Sequence, residues 1–215
     1  MRKRGFTLAE VLITLSIVGV IASLTIPTFV ASSRNKANAA KLSAVVNAVE
    51  TALTTMMAQE TVSDLTETNF HSKISTNITG AIAELSKYLK ITLNSTISKG
   101  ATVTTKNGAT LNFRFEETNA TDANAQAAGF SSLGAIGTLV VDVNGNARPN
   151  SNGRDIFEFC IGKTGTLYPA GGKAYSLLKN NTGLWNNENA TYSCNGKVTL
   201  GCTARLIEEN YQVNY

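Results

Sequence analysis

A lone carboxylate, Glu10, stands just before a long uncharged stretch near the N-terminus. An ionisable side chain within a membrane helix costs on the order of 3 kcal/mol at depth, so such a residue is a candidate for function by default. Glu10 follows Phe6 by four residues, which places the two one turn apart on a helix. Cleavage of the Gly5–Phe6 bond would expose a cationic amine at Phe6. Glu10 would then pair with such an amine, its own or that of a neighbouring copy, most strongly at low dielectric constant.

A second group of oxygen-bearing side chains lies around Gly145. Asp142, Asn144 and Asn146 stand at alternate positions, and Asp155 closes the loop that follows them. Oxygen ligands at alternate positions around a glycine are typical of Ca²⁺ loops, although the terminal glutamate of an EF-hand is missing. Two interpretations follow, a Ca²⁺ site or an Asx-rich turn between two strands.

The three cysteines, Cys160, Cys194 and Cys202, allow one disulfide and one free thiol. None forms a C-x-x-C pair, so neither thioredoxin chemistry nor a zinc ribbon is favoured. Cys194 and Cys202 enclose a short loop with two glycines. A bridge there would contribute about 2–3 kcal/mol, and we expect this pairing. Cys160 falls in a strand pattern typical of a buried thiol, and its pairing with either of the others is the alternative.

The remaining residue types do not favour an enzyme or a nucleic-acid-binding protein. His71 is the only histidine, and no phosphate-binding glycine motif is present. The net charge is +4, but Arg2, Lys3 and Arg4 are three of the 19 basic residues, which leaves 16 against 15 acidic residues. No dense basic cluster stands elsewhere, so nucleic acid is not an expected partner and no cofactor is required.

The element that positions Glu10 is a membrane-length apolar run, Val11–Phe29, which carries no charge. Its 19 residues approach the ~20 that cross a bilayer core as a helix. A secretory signal peptide has a shorter apolar region, ~7–15 residues, and ends in an A-x-A-like site that is poorly matched here. Pro27 lies inside the run, where it predicts either a kink or the end of the membrane span.

The helix is predicted to continue to about residue 58, because apolar residues recur there at spacings of three and four. This stripe consists of Leu42, Val45, Val46, Val49, Leu53, Met56 and Met57. A short helix is expected around residues 78–90. Alternating or apolar runs bounded by turns predict an antiparallel sheet. The predicted strands are Leu111–Phe115, Thr138–Val143, Asp155–Ile161 and Gly165–Pro169.

Residues 1–40 resemble the class III leader and cleavage motif of type IV pilins and type II secretion pseudopilins. That motif has a glycine, a phenylalanine, and a glutamate at the fifth place of the mature chain, on a hydrophobic helix. The matching residues here are Gly5, Phe6, Thr7, Leu8 and Glu10. The resemblance covers the N-terminal part of the chain and is specific there, whereas the remainder is much less diagnostic.

The resemblance implies that prepilin peptidase cuts after Gly5 and N-methylates Phe6. Glu10 would then neutralise the N-terminal amine of an adjacent subunit during assembly. The implied partners are further copies, other pilins, the peptidase, an inner-membrane assembly platform and, before assembly, membrane lipid. The implied location is a single pass of the inner membrane with a cytoplasmic N-terminus, then a periplasmic or extracellular filament.

The expected fold is α+β and pilin-like, with a long N-terminal helix packed on an antiparallel sheet. The expected organisation is a leader (1–5), a transmembrane and assembly helix (6–30), an amphipathic helix (31–58) and a globular head (59–215). In the family, a C-terminal disulfide loop is common, and major pseudopilins bind calcium in this part of the fold.

The expected function is a structural subunit of a type IV pilus. A pseudopilin of a type II secretion system is one alternative, and a membrane-tethered module for adhesion or DNA uptake is another.

Overall fold

A single long helix, α1 (Leu8–Glu60), forms the N-terminal part of the molecule. The structure is a computed structural model that describes residues 5, 7–115, 135–145, 147–148, 150–170, 194 and 201–212. α1 runs through Pro27 without ending there and stops two residues beyond the predicted end. Its C-cap, Thr61, has a φ of 56°, a left-handed conformation that terminates a helix.

The two halves of α1 lie in different surroundings. Every described residue from Leu8 to Ile21 is exposed, and the first buried residue is Ala39. From there on, the predicted stripe is buried along its whole length, which confirms it. The buried residues of α1 are Ala39, Leu42, Val45, Val46, Val49, Ala52, Leu53, Met56 and Met57. The second half of α1 is therefore a part of the head's hydrophobic core.

Short helical elements connect α1 to the sheet. A 3₁₀ turn (Leu65–Glu67) precedes α2 (Asn69–Ile74) and α3 (Ile78–Ser86). α3 lies where a helix was predicted and is held at its start by Asn77, whose side chain accepts a hydrogen bond from the Gly80 amide. The predicted helix was four residues too long at its C-terminal end, because α3 ends at Ser86.

The described strands form one six-stranded sheet in which each strand pairs antiparallel with the next along the chain. The strands are β1 (Ile91–Ile97), β2 (Gly100–Thr105), β3 (Thr110–Arg114), β4 (Ala135–Asp142), β5 (Ile156–Gly162) and β6 (Leu167–Pro169). The predicted antiparallel sheet and the α+β class are confirmed. β1 and β2 are not among the four predicted strands. The last four residues of β1 are exposed and give no alternating apolar pattern.

One face of the sheet and the second half of α1 share the core. Leu111, Phe113, Leu139, Phe157 and Phe159 are all buried in it. A polar contact ties helix to sheet as well, since the Leu167 amide donates to Glu50 Oε1 at 2.8 Å. This contact fixes α1 beside the edge strand β6.

The C-terminal part of the described chain contains a disulfide between Cys194 and Cys202, whose Cα atoms are 4.8 Å apart. The last helix, α4 (Cys202–Glu208), starts at the bridge. Arg205 Nη1 donates to the Cys194 carbonyl at 3.1 Å and ties the two sides of the bridge together. Cys160 on β5 is a free, buried thiol, and burial, followed by the charge of Glu158, raises its pKa to about 12.

Candidate processing and assembly site

Thr7 begins α1 as its N-cap residue and fixes the side chain of Glu10. The Thr7 amide donates to Glu10 Oε2 at 2.8 Å, and the Thr7 hydroxyl lies 2.9 Å from the same oxygen. In return, the Glu10 amide donates to Thr7 Oγ1 at 3.3 Å. These reciprocal bonds form a capping box, which satisfies amides that a helix start leaves without partners.

The capping box leaves half of the carboxylate available. Oε2 of Glu10 accepts both bonds from Thr7, and no described residue donates to Oε1. The negative charge also lies at the positive end of the helix dipole, which favours an anion there. Thr7 therefore holds Glu10 by one oxygen, and the other oxygen has no donor among the described residues.

The role of Thr7 as the residue that positions Glu10 was missed in the sequence. The signal was present, because Ser or Thr followed three residues later by an acidic residue, before an apolar run, is the capping-box pattern. Phe6 itself lies outside the described residues.

Gly5 is exposed, and a Cβ atom placed on it would meet nothing within 4 Å. Packing against the described residues therefore does not require a glycine at this position. Any requirement for Gly5 comes from a partner that reads the segment, as expected of a residue beside a cleaved bond.

The first half of α1 is suited to an apolar environment on every side. In the described part of the chain, it belongs to the one helix long and apolar enough to cross a membrane. Its hydroxyl side chains donate to backbone carbonyls of the same helix, at 2.8–3.0 Å for Thr14, Ser16, Ser23, Thr25 and Thr28. Polar groups satisfied in this way do not need water.

Pro27 lies inside this half without ending the helix. Because proline has no backbone N–H, the carbonyl of Ser23 loses its usual intrahelical donor. The structure thus places Pro27 where the helix is locally weaker, and the kink stays a prediction.

The β4–β5 loop holds the other predicted site residues. Asp155 is fully buried, and its two oxygens accept from the Ser151 amide at 2.6 Å and from Asn144 Nδ2 at 3.0 Å. Asp142 Oδ1 accepts from the Asn144 amide at 3.2 Å, an Asx turn. Burial, with a smaller contribution from the charge of Asp155, raises the pKa of Asp142. The loop thus brings Asp142, Asn144 and Asp155 together, while Asn146 lies outside the described residues.

The oxygen atoms of the described loop residues fit the Asx-rich turn better than a Ca²⁺ site. Ca²⁺ takes six to eight oxygen ligands, whereas both oxygens of Asp155 already accept protein hydrogen bonds. One buried oxygen, Asn144 Oδ1, has no partner. Among the described residues, no group of three His, Cys, Asp or Glu side chains is placed to hold a metal ion. Calcium binding at this loop therefore stays a prediction.

Replacement of Asp142 by asparagine tests both interpretations. A carboxylate with a raised pKa destabilises the folded state once pH exceeds its unfolded pKa, and the full cost is reached above its folded pKa. In a chelator at neutral pH, Asp142→Asn should therefore raise the Tm of the full chain, by about 1–2 °C for partial burial. The difference should vanish at low pH.

The Ca²⁺ prediction adds that millimolar Ca²⁺ raises the Tm of the wild type and leaves that of Asp142→Asn unchanged. Differential scanning calorimetry in detergent micelles measures both effects. An absent Ca²⁺ shift in the wild type would refute the metal site, and a lower Tm of the variant in chelator would refute the pKa argument.

Comparison with known proteins identifies the N-terminal segment and nothing beyond it. Residues 1–26 match the family model described as the prokaryotic N-terminal methylation motif. No curated protein and no solved structure matches the chain significantly. The matched residues include Gly5, Thr7 and Glu10, so the capping box lies within the motif. The chain therefore carries the class III prepilin motif of type IV pilins and pseudopilins, followed by an α+β head consistent with the pilin fold.

Proposed function

We propose that this protein is a structural subunit of a type IV pilus, cleaved after Gly5, N-methylated at Phe6 and polymerised through α1. The observation that carries this proposal is the first half of α1, which is apolar and exposed, with one carboxylate fixed at its start. This arrangement is suited to two environments in turn, a membrane and a bundle of identical helices.

The exposed side chains of this half are too numerous for a water-exposed helix. Large hydrophobic residues with exposed side chains here are Leu8, Val11, Leu12, Ile13, Leu15, Ile17, Val18, Val20, Ile21, Leu24, Ile26, Phe29 and Val30. A helix that is apolar on all sides is stable only where lipid or protein surrounds it. Because lipid tails are as apolar as leucine, transfer from membrane to filament gains little from the hydrophobic effect, and packing and polar pairs decide the outcome.

Glu10 supplies the polar pair that favours the filament. An unpaired charge in a low-dielectric helix bundle is costly, whereas a paired charge is tolerated. Oε1 of Glu10 has no donor among the described residues, and cleavage after Gly5 would create a cationic amine at Phe6. Pairing of Glu10 with the amine of a subunit already in the filament would set the axial position of each incoming subunit.

The choice of a pilus over a secretion pseudopilus rests on the head. The segment 59–215 is longer than the head of a typical major pseudopilin. The presence of Glu10 favours the filament body, because minor subunits at the tip often lack this residue. Electron microscopy distinguishes a pilus subunit from the other alternative, a tethered binding module. Loss of a surface appendage with loss of this protein supports a pilus subunit, and an intact appendage with lost adhesion or DNA uptake supports a tethered binding module.

The first prediction of this proposal concerns processing. Intact-mass and peptide mass spectrometry of the native protein should find N-methylated Phe6 as the first residue. A strain without the prepilin peptidase is the control and should retain residues 1–5. A native protein that starts at Met1, or near Ser23, would contradict the proposed cleavage.

The second prediction separates processing from assembly. Glu10→Ala and Glu10→Leu should be inserted and cleaved normally, yet their yield in sheared filaments should fall at least about tenfold, the effect of ~1.4 kcal/mol. Glu10→Asp, one methylene shorter, should be intermediate. Glu67→Ala is the matched control, because Glu67 is an exposed acidic residue of the head.

The measurement compares processed protein in membranes with protein in filaments for each variant beside the wild type. Normal filament yield from Glu10→Ala would show that the carboxylate is a solvated bystander. A loss of cleavage in Glu10→Ala would instead place Glu10 in peptidase recognition and remove it from the assembly argument.

A further inference from the structure

A cavity of about 380 Å³ lies between α1 and the β4–β5 loop, and three arginines line it. Arg34 comes from α1, and Arg148 and Arg154 come from the loop. All three are exposed at the cavity rather than buried in the head. Three guanidinium groups around one cavity form a concentrated positive site.

The charges of these arginines are not neutralised within the described residues, where none of the three forms an ion pair. Asp155 also lines the cavity, but its oxygens already accept from the Ser151 amide and from Asn144 Nδ2. One carboxylate against three guanidinium groups leaves the site positive. A hydrogen bond holds the loop against α1 at this cavity, because Asn38 Nδ2 donates to the Arg154 carbonyl at 3.2 Å.

The position of Arg34 along α1 indicates what this site faces. Arg34 is the first charged residue after Glu10, so residues 11–33 form one uncharged helical stretch. At ~1.5 Å per residue this stretch is about 35 Å long, slightly more than the ~30 Å hydrocarbon core of a bilayer. With Glu10 at one surface of the membrane, Arg34 and the cavity beside it would lie at the phosphate layer of the other surface.

We propose that this cavity binds the phosphate of an anionic membrane phospholipid before the subunit enters a filament. A guanidinium group matches phosphate oxygens with two parallel hydrogen bonds, which makes arginine the preferred phosphate ligand of this geometry. Bound lipid would hold the head against the membrane and limit its rotation about α1. The inference rests on the membrane insertion of α1 in the proposed function, but it needs no filament.

A carboxylate of a neighbouring subunit is the competing occupant. Position favours the phospholipid. Arg34 directly follows the uncharged stretch 11–33, so insertion of α1 would place the cavity at the depth where lipid phosphates are concentrated.

The test uses the full chain in vesicles of phosphatidylcholine that contain either spin-labelled phosphatidylglycerol or spin-labelled phosphatidylcholine. Electron paramagnetic resonance measures the fraction of each label immobilised by the protein. We expect a preference for phosphatidylglycerol of at least about fivefold, the contribution of one lysine or arginine near an anionic surface. The variant Arg34→Gln/Arg148→Gln/Arg154→Gln should lose this preference.

The matched control is Lys90→Gln/Lys99→Gln/Lys106→Gln, which changes the net charge equally at residues that do not line this cavity. It should keep the preference. Carbonate extraction and the Tm confirm insertion and folding of each protein, which separates a failure of membrane insertion from a failure of lipid binding. If the triple arginine variant does not fold, Arg148→Gln on its exposed loop replaces it and should weaken the preference.

Three results would overturn the proposal. The first is equal immobilisation of both lipids by the wild type, and the second is a preference for phosphatidylglycerol that the arginine variant keeps. In the second case, a simultaneous loss of filament yield would assign the cavity to a neighbouring subunit's carboxylate. The third is loss of the preference in millimolar inorganic phosphate at constant ionic strength, as complete as the loss caused by the substitutions. The site would then bind a free anion and not a lipid.

Discussion

Removal of the apolar first half of α1 from water is the constraint on which the rest of this structure depends. The large apolar side chains of this half, from Leu8 to Val30, are exposed, and no part of the described head covers them. Lipid can cover them, and so can the same helix from further copies. In the proposed assembly, Glu10 would distinguish the two environments, because its carboxylate would gain from a cationic donor that lipid tails do not provide.

The second half of α1 couples this constraint to the head. The stripe from Ala39 to Met57 is buried in the same core as the sheet, and Glu50 accepts a hydrogen bond from Leu167 on β6. Displacement of α1 relative to the sheet would open a close-packed core, which is costly for each buried side chain. The position that the N-terminal segment takes in an assembly is therefore passed on to the head, including the arginine-lined cavity beside Arg34.

The elements that could be predicted from the sequence are those in which apolar residues recur at a regular spacing on one face. The helix stripe and the strands around Phe113 and Phe157 each put apolar residues on one side, and all are found in the core. β1 escaped prediction because most of its side chains are exposed and carry no alternation. Glu10 was identified from its charge, whereas Thr7 was missed because its role depends on hydrogen bonds within one helical turn. The oxygen-rich loop shows the limit of such patterns, since Asp155 bonds to its own loop in a way that residue types alone do not reveal.

The central claim is that Glu10 of one subunit pairs with the Phe6 amine of another. Zero-length carbodiimide cross-linking of sheared filaments, followed by gel electrophoresis and peptide mass spectrometry, tests this pair directly. The account predicts covalent dimers joined between Phe6 and Glu10 in filaments and none in detergent-dispersed protein. Filaments that yield no such dimers, or dimers in which the Phe6 amine is joined to a different carboxylate, would contradict it.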